Sequence, residues 1–440
     1  MLALLATYLI TYCGAALALV NPYYGLLAYI SFAIIRPDQF LPAGTAPGNY
    51  SRILAIAVLV GWSLGGFGNW RLTRSRPLLL ALAGFLGWLC VSALVAGDQD
   101  LAWRTVEQRA KIVLPVLIGF TLIDSARRLQ QLGWVLIASQ SVVAVAAHLS
   151  VYVWGTGNWL YFGYEGFDNN DAAAGFVTVA GFAFAMGLAE TGWRKWTALA
   201  AAGLMVNAVL MTGSRGGMLA LLVVGVVTLL TIFREPRHYR IFALAVLGGI
   251  VLAGPFAVER FSTILYRGRS AQADDAAESR VRLWKYGWQM MLANPWVGVG
   301  PGHFQATVAR SFGTPKAAHS IWIENGAESG FPGLALLAGF YLLALRRVQQ
   351  LFHRPPGQVR WLRDAARMVL LSLSGFLVAA SFLTLAALEQ PYFVVLFAAG
   401  LLELASQVEQ AVQPAGNECG LVWPPSATPG YAALPGLHAR

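Results

Sequence analysis

Charge is what this sequence has least of. Only 12% of its 440 residues are Asp, Glu, Lys or Arg, about half the roughly 25% of soluble globular chains. With 57% hydrophobic residues and a mean hydropathy of +0.58, the chain cannot clothe a water-exposed surface, which excludes a soluble protein. Cysteine is scarce too. Cys13 and Cys90 lie in apolar segments and Cys419 in the tail, a scatter that matches neither a metal site nor a disulfide framework. No internal repeat of the kind found in many transporters occurs. There is no phosphate-binding GxxxxGK[ST] loop, no HExxH, and no Ser-His-Asp order for hydrolysis. Acidic residues are outnumbered 21 to 31 by Lys and Arg, a net charge of +10. That balance suits arginine-rich loops and is compatible with an anionic lipid-linked ligand, and nothing in it calls for nucleic acid.

What fills the chain instead is apolar runs long enough to cross a ~30 Å hydrocarbon layer. They fall near 2–20, 23–36, 51–68, 78–96, 112–123, 132–153, 172–190, 197–212, 216–233, 241–258, 332–345, 368–388 and 392–404. The expectation is an all-α polytopic membrane protein of about 12 transmembrane helices, one further segment being re-entrant or broken, with Pro22 and Pro115 at places where a break is easy. The first segment lacks a basic n-region and reads as a retained helix, not a signal peptide. The domains expected are an N-terminal bundle (1–258), a long polar loop (259–331), C-terminal transmembrane helices (332–404) and a disordered tail (405–440) rich in Pro, Gly and Ala. The short loops at 71–76, 124–130, 191–196, 234–240 and 346–367 carry clustered arginines and share one side by parity, which the positive-inside rule makes cytoplasmic. The long loop, with interfacial helices, then faces the non-cytoplasmic side. It is itself basic, but loops beyond ~60 residues cross largely regardless of charge.

Three stretches carry chemistry. In "MTGSRGGMLAL" (211–221), Arg215 interrupts nearly forty apolar residues, a placement that costs at least ~2.5 kcal/mol on insertion scales. Flanked by Ser214, Gly213, Gly216 and Gly217, it either snorkels from a short turn or offers its guanidinium to an anion. In "ESRVRLWKYGWQMMLANPWVGVGPGHF" (278–304), Trp284, Trp288 and Met291 recur at helical spacing, as in an interfacial amphipathic helix. Arg280, Arg282 and Lys285 at its start either meet lipid headgroups or bind phosphate. In "AHSIWIENGAESGFPGLALL" (317–336), His319 and Glu328 precede a span that Gly330 and Gly333 introduce. Asp98 and Asp100 have D-x-D spacing, but two acids in a short loop are commonly just solvated. "FDNNDAA" (167–173) reads as a helix cap supplied by Asn170 or Asp171.

Together these motifs resemble the bacterial O-antigen ligase and polymerase family, including its probable O-glycosylation ligase subgroup. The likeness rests on Ser214-Arg215-Gly216, on Arg280 with Trp284, on Asn294-Pro295 with Gly298 and Gly300, and on His319-Ser320 with Glu328, Gly330 and Gly333. The start "NPYYGLLAYISFAIIRPDQFLP" and "DNNDAA" extend it. A second arginine, Arg282, leaves two candidates for the anion contact, of which the four-residue spacing to Trp284 favours Arg280.

The resemblance implies a metal- and cofactor-independent glycosyltransferase. It would move a glycan from undecaprenyl pyrophosphate to a hydroxyl of lipid A-core in lipopolysaccharide synthesis. Arg215 and Arg280 would stabilise the departing pyrophosphate, His319 would orient or deprotonate the acceptor, and Arg282, Lys285, Glu328, Ser214 and Trp284 would contact substrate. The alternatives are a polymerase or a protein O-oligosaccharyltransferase using the same donor, and, from another class, an anionic-lipid transporter. Against the last, the polar residues gather in one outer loop and not within broken helices at mid-membrane.

Overall fold

A computed structural model describes residues 2–40, 48–153, 168–232, 239–244, 247–248, 271–353, 360–383 and 388–412. Among the described residues there are helices and connecting turns but no strand. The order is α1 (Leu2–Tyr8), α2 (Gly14–Val20), α3 (Pro22–Ile35), α4 (Tyr50–Leu64), α5 (Arg76–Leu94), α6 (Gln99–Leu122), α7 (Ala126–Tyr152) and α8 (Asn169–Ala189). It continues with α9 (Gly192–Met211), α10 (Arg215–Ile232), α11 (Ala271–Ala293), α12 (Phe304–Phe312), α13 (Ile321–Phe352), α14 (Arg360–Phe382) and α15 (Gln390–Val412).

Seven of these (α5, α7, α8, α10, α13, α14 and α15) are long and apolar enough to cross a membrane, and Leu4–Val20, α3 and α4 are shorter apolar helices. The expected segment at 241–258 and the first residues of the long loop fall largely outside the described residues, as does the tail beyond Val412. Helix α15 itself runs on to Val412, seven residues past the expected start of the tail.

Local chemistry explains where the helices begin. Pro22 does break the chain: it sits in the first turn of α3, where its missing N–H costs nothing, and Asn21 caps the helix by accepting from Tyr23 N at 3.1 Å. Pro115 does not, and α6 passes straight through it. Helix α6 also starts well before the apolar run at 112–123, because Asp98 caps Leu101 N at 3.1 Å. Helix α8 is apolar on nearly every face and is the most enclosed of the spans, packed against α9 and α14. The C-terminal spans are thus woven into the N-terminal ones.

The two ends of the bundle differ. At one, the Glu403 carboxylate accepts from Thr73 N, Thr73 Oγ1, Ser75 N and Ser75 Oγ at 2.7–2.9 Å, and Arg74 pairs with Glu409. At the other, the segment from Asn294 to Ser320 folds over the helix ends. It is fixed by a backbone seam against α13, which begins at Ile321, eleven residues before the apolar run at 332.

Near the end of the first third of α13, Gly330 takes φ 70° and ψ −174°, breaking the helix. The Ala327 carbonyl is thereby released to accept from Val299 N (2.9 Å), and Phe331 N donates to Pro295 O (2.8 Å). The Glu328 carbonyl, whose helical partner would be the N–H that Pro332 lacks, accepts from Gly300 N (3.0 Å). Ser92 Oγ and Trp88 Nε1, both on α5, add bonds to Val297 O (2.6 Å) and Ser329 O (2.9 Å). The two glycine motifs of the sequence are therefore the two sides of one joint.

A Cβ on Gly330 would lie 2.2 Å from Trp296 O, and left-handed φ adds strain of roughly 1–3 kcal/mol. Gly330→Ala is expected to lower the thermal unfolding midpoint of the detergent-purified protein and to detach the 295–300 segment. Hydrogen exchange at Val299 and Gly300 would rise. Unchanged protection there would show that the seam does not depend on the break.

Candidate active site

The site grows from two turns held by side chains. In the first, Gly213 takes φ 64° and the chain reverses between α9 and α10. Asp168, and not Asn170 or Asp171, is the N-cap of α8: its carboxylate accepts from Asn170 N (2.8 Å) and Asp171 N (2.9 Å), and Asp171 closes the box by accepting from Asp168 N (3.4 Å). That frees Asn169 Nδ2 to donate to Thr212 O (3.0 Å) and Asn170 Oδ1 to accept from Ser214 Oγ (2.8 Å). Ser214 Oγ also accepts from Gly217 N at 3.2 Å. Ser214 is buried and spent on the turn, so its part is to aim Arg215, the first residue of α10.

The second turn carries His319, at φ 50° in the left-handed region. It is pinned on both sides. Ala318 O accepts from Trp284 Nε1 (2.8 Å), and Ala318 N donates to Glu324 Oε2 (3.3 Å). Trp284 stands one helical turn after Arg280 on the same face of α11, so one helix face supplies both a cation and the brace for the histidine. Arg282 and Lys285 are exposed and face away. The arginine that shares this face is Arg280.

The charges of these groups act on one another. Burial first, and then the charge of Arg215, push the Arg280 guanidinium below its usual value, with Asp168 pulling the other way. Burial and then Arg280 lower the His319 imidazole, again opposed by Asp168. Arg215, Arg280, His319 and Asp168 thus form one electrostatic group. Its core is two guanidiniums that feel each other's charge, an arrangement that favours a multivalent anion, with an imidazole whose neutral form is favoured.

Glu328 does not join the group. Its carboxylate accepts from Phe304 N (3.2 Å), and its charge is absent from those acting on His319, so it holds the 298–304 loop in place of touching the histidine. Asp98 is spent on capping α6, and its backbone N–H is accepted by His303 Nε2 (3.1 Å). Among the described residues no three His, Cys, Asp or Glu side chains come together as metal ligands. Sequence reasoning missed Asp168, Glu324 and Arg36 as parts of this region. Asp168 stood in the quoted "FDNNDAA" and Glu324 in the polar stretch that opens α13, but only the folded turns at Ser214 and His319 give them neighbours.

Residues 200–338, from the middle of α9 to just past the break in α13, match the family model described as O-antigen ligase. No curated protein matches the chain. The match bears out the resemblance drawn from the motifs and, with the apolar helices, supports a multi-pass membrane protein of O-antigen ligase or polymerase type.

Isotope-labelled histidine, assigned by its loss in His319→Gln, should titrate below ~6.5 at this position. Arg280→Gln should raise that value and Asp168→Asn should lower it further. A pKa at or above the ordinary value, unmoved by either substitution, would break the electrostatic link.

Proposed function

From the premise that residues 200–338 carry the O-antigen ligase pattern, we propose that this protein transfers a glycan from undecaprenyl pyrophosphate to a hydroxyl of lipid A-core, without a metal. The observation that carries this reading is the pair Arg215 and Arg280, partly buried and mutually repelling beside a depressed histidine. In the reaction the acceptor oxygen attacks the anomeric carbon, and the bond from that carbon to the phosphate oxygen breaks. Undecaprenyl pyrophosphate leaves with the bonding pair. The two guanidiniums stabilise that growing negative charge, and His319, neutral at neutral pH, accepts the proton of the hydroxyl. Trp284 and Glu324 hold the histidine in position through Ala318.

The site end faces the periplasm of the inner membrane in this reading, with about 12 spans beneath it and residues 259–331 as a periplasmic loop. The arginine-rich loop at 71–76 and the Arg346–Arg367 region then lie in the cytoplasm, as the positive-inside rule asks. Single cysteines at 74 and 360 on a cysteine-free background should resist a membrane-impermeant thiol reagent in cells with a permeabilised outer membrane. Labelling at either would reverse the orientation.

In a reconstituted assay with purified lipid-linked donor and lipid A-core, Arg215→Ala and Arg280→Ala are expected to lose ~10²–10³-fold in rate. Lysine at either position should rescue poorly because it lacks the bidentate fork. Arg282→Ala, on the outward face, should cost far less. His319→Ala should lose ~10²–10⁴-fold in single-turnover transfer with donor affinity retained. Activity should persist in excess EDTA. Turnover only with a second lipid-linked glycan as acceptor would reassign the protein as a polymerase, and EDTA inhibition reversed by magnesium would overturn the metal-free mechanism.

A further inference from the structure

Beside the arginine and histidine group lies a second polar concavity that the reaction above does not use. It is lined by Arg36 from the end of α3, Gln140 from α7, Asp171 and Gly175 from α8, and Glu389 and Gln390 at the start of α15, with apolar walls from Ala33, Val143 and Phe176. Five chemistry-bearing side chains from four separate helices converge there. Asp171 belongs to the capping box of Asp168, whose charge reaches Arg280 and His319, so the two sites share a wall.

The chemistry of the lining narrows what fits. Arg36 lies 3.7 Å from Glu389 Oε1, and Gln390 Nε2 donates to Gln140 Oε1 at 3.0 Å, with both amides buried over Gly175. Among the described residues Glu389 Oε2 is buried with no hydrogen-bond partner. Two carboxylates against one guanidinium disfavour an anion such as phosphate, and the guanidinium disfavours a cation. A neutral group that donates to a carboxylate and accepts from an amide or guanidinium N–H satisfies the lining. The space is polar and narrow: it takes a group about the size of a water molecule and not a whole sugar ring. A hydroxyl on a short arm meets both conditions.

We propose that the pocket formed by Arg36, Gln140, Asp171, Glu389 and Gln390 receives one hydroxyl-bearing arm of the glycan, a hydroxymethyl or ring hydroxyl, and thereby selects the sugar presented to the reacting centre. The inference rests on the glycan-transfer reading. A pocket built to hydrogen-bond a hydroxyl rejects analogues lacking it far more strongly than an apolar pocket rejects an extra methylene, so this is where discrimination between sugars is expected. Burial pushes the Glu389 carboxyl up to about 7, with Arg36 opposing, which leaves it both a donor and an acceptor near neutrality.

Two substitutions probe the pocket by different means. Glu389→Gln removes the carboxylate at nearly constant volume. Gly175→Ala puts a methyl group 3.1 Å from Gln390 Nε2 in ordinary helical backbone, narrowing the pocket without disturbing the α8 cap. The full-length protein in nanodiscs is titrated with two soluble probes: the glycan released from the lipid-linked donor by mild acid, and deacylated core oligosaccharide. Saturation-transfer NMR reads the binding. One probe is expected to bind to the wild type, identifying donor or acceptor as the source, and both variants should weaken it by about tenfold or more, the scale of one charge-assisted hydrogen bond. Monodisperse elution and an unchanged His319 titration report that each variant is folded. Binding of neither probe to the wild type, or binding insensitive to both substitutions, overturns the proposal and leaves a pocket for a structural water. Because these probes carry no pyrophosphate, this outcome is separable from failure of the transfer reading, which shows instead as absent turnover with the lipid-linked donor.

Discussion

The break at Gly330 is the constraint on which the rest of the active end depends. A helix that ran unbroken from Ile321 would spend the Ala327 carbonyl and the Phe331 amide on each other, while the Glu328 carbonyl, four residues before Pro332, would meet no N–H. With the break, all three form a seam with Pro295, Val299 and Gly300. That seam ties the end of α11 to the start of α13. Arg280 and Trp284 come from α11 and His319 from the residue pair just before α13, so their relative placement follows from it. Three backbone bonds at 2.8–3.0 Å anchor the segment over the helix ends, where water would otherwise compete for every polar group.

A second layer of order comes from side chains that hold others and stay away from the reacting position themselves. Asp168 caps α8, which lets Asn169 and Asn170 clasp the turn at Thr212 and Ser214 and so aims Arg215. Trp284 and Glu324 clasp Ala318 and so aim His319. Two guanidiniums brought together in a partly buried place repel, and the fold tolerates this because Asp168 supplies a compensating charge. An anion bound between them would relieve the repulsion. Burial first, and then the charge of Arg280, lower the His319 imidazole as well.

Some of the residues that the motifs single out also bond to the chain itself. Glu328 and Ser214 stood in the correct stretches, yet each is consumed by local backbone donors, Glu328 by Phe304 N and Ser214 by Gly217 N. A motif marks which residues matter without telling a contact to substrate from a contact to the chain. The choice between Arg280 and Arg282 went the other way. Spacing to Trp284 favoured Arg280, and helical geometry gives the reason, since residues four apart share a face and residues two apart do not.

The sequence by itself determined the class of the molecule, because long apolar runs and sparse charge leave helices in a membrane as the main way to satisfy the backbone. It also singled out Arg215, Arg280 and His319 as candidates for one site, through the motifs in which they stand. Only the tertiary structure decided how the helices begin and break: α13 starts eleven residues before its apolar run, with Glu324 in its first turn accepting from Ala318 N, and α6 continues through a buried Pro115. Only the tertiary structure, too, brought Arg36, Gln140, Asp171, Glu389 and Gln390 to one pocket. They lie as much as 354 residues apart in the sequence, and no local pattern encodes a meeting that arises from four helices packing side by side.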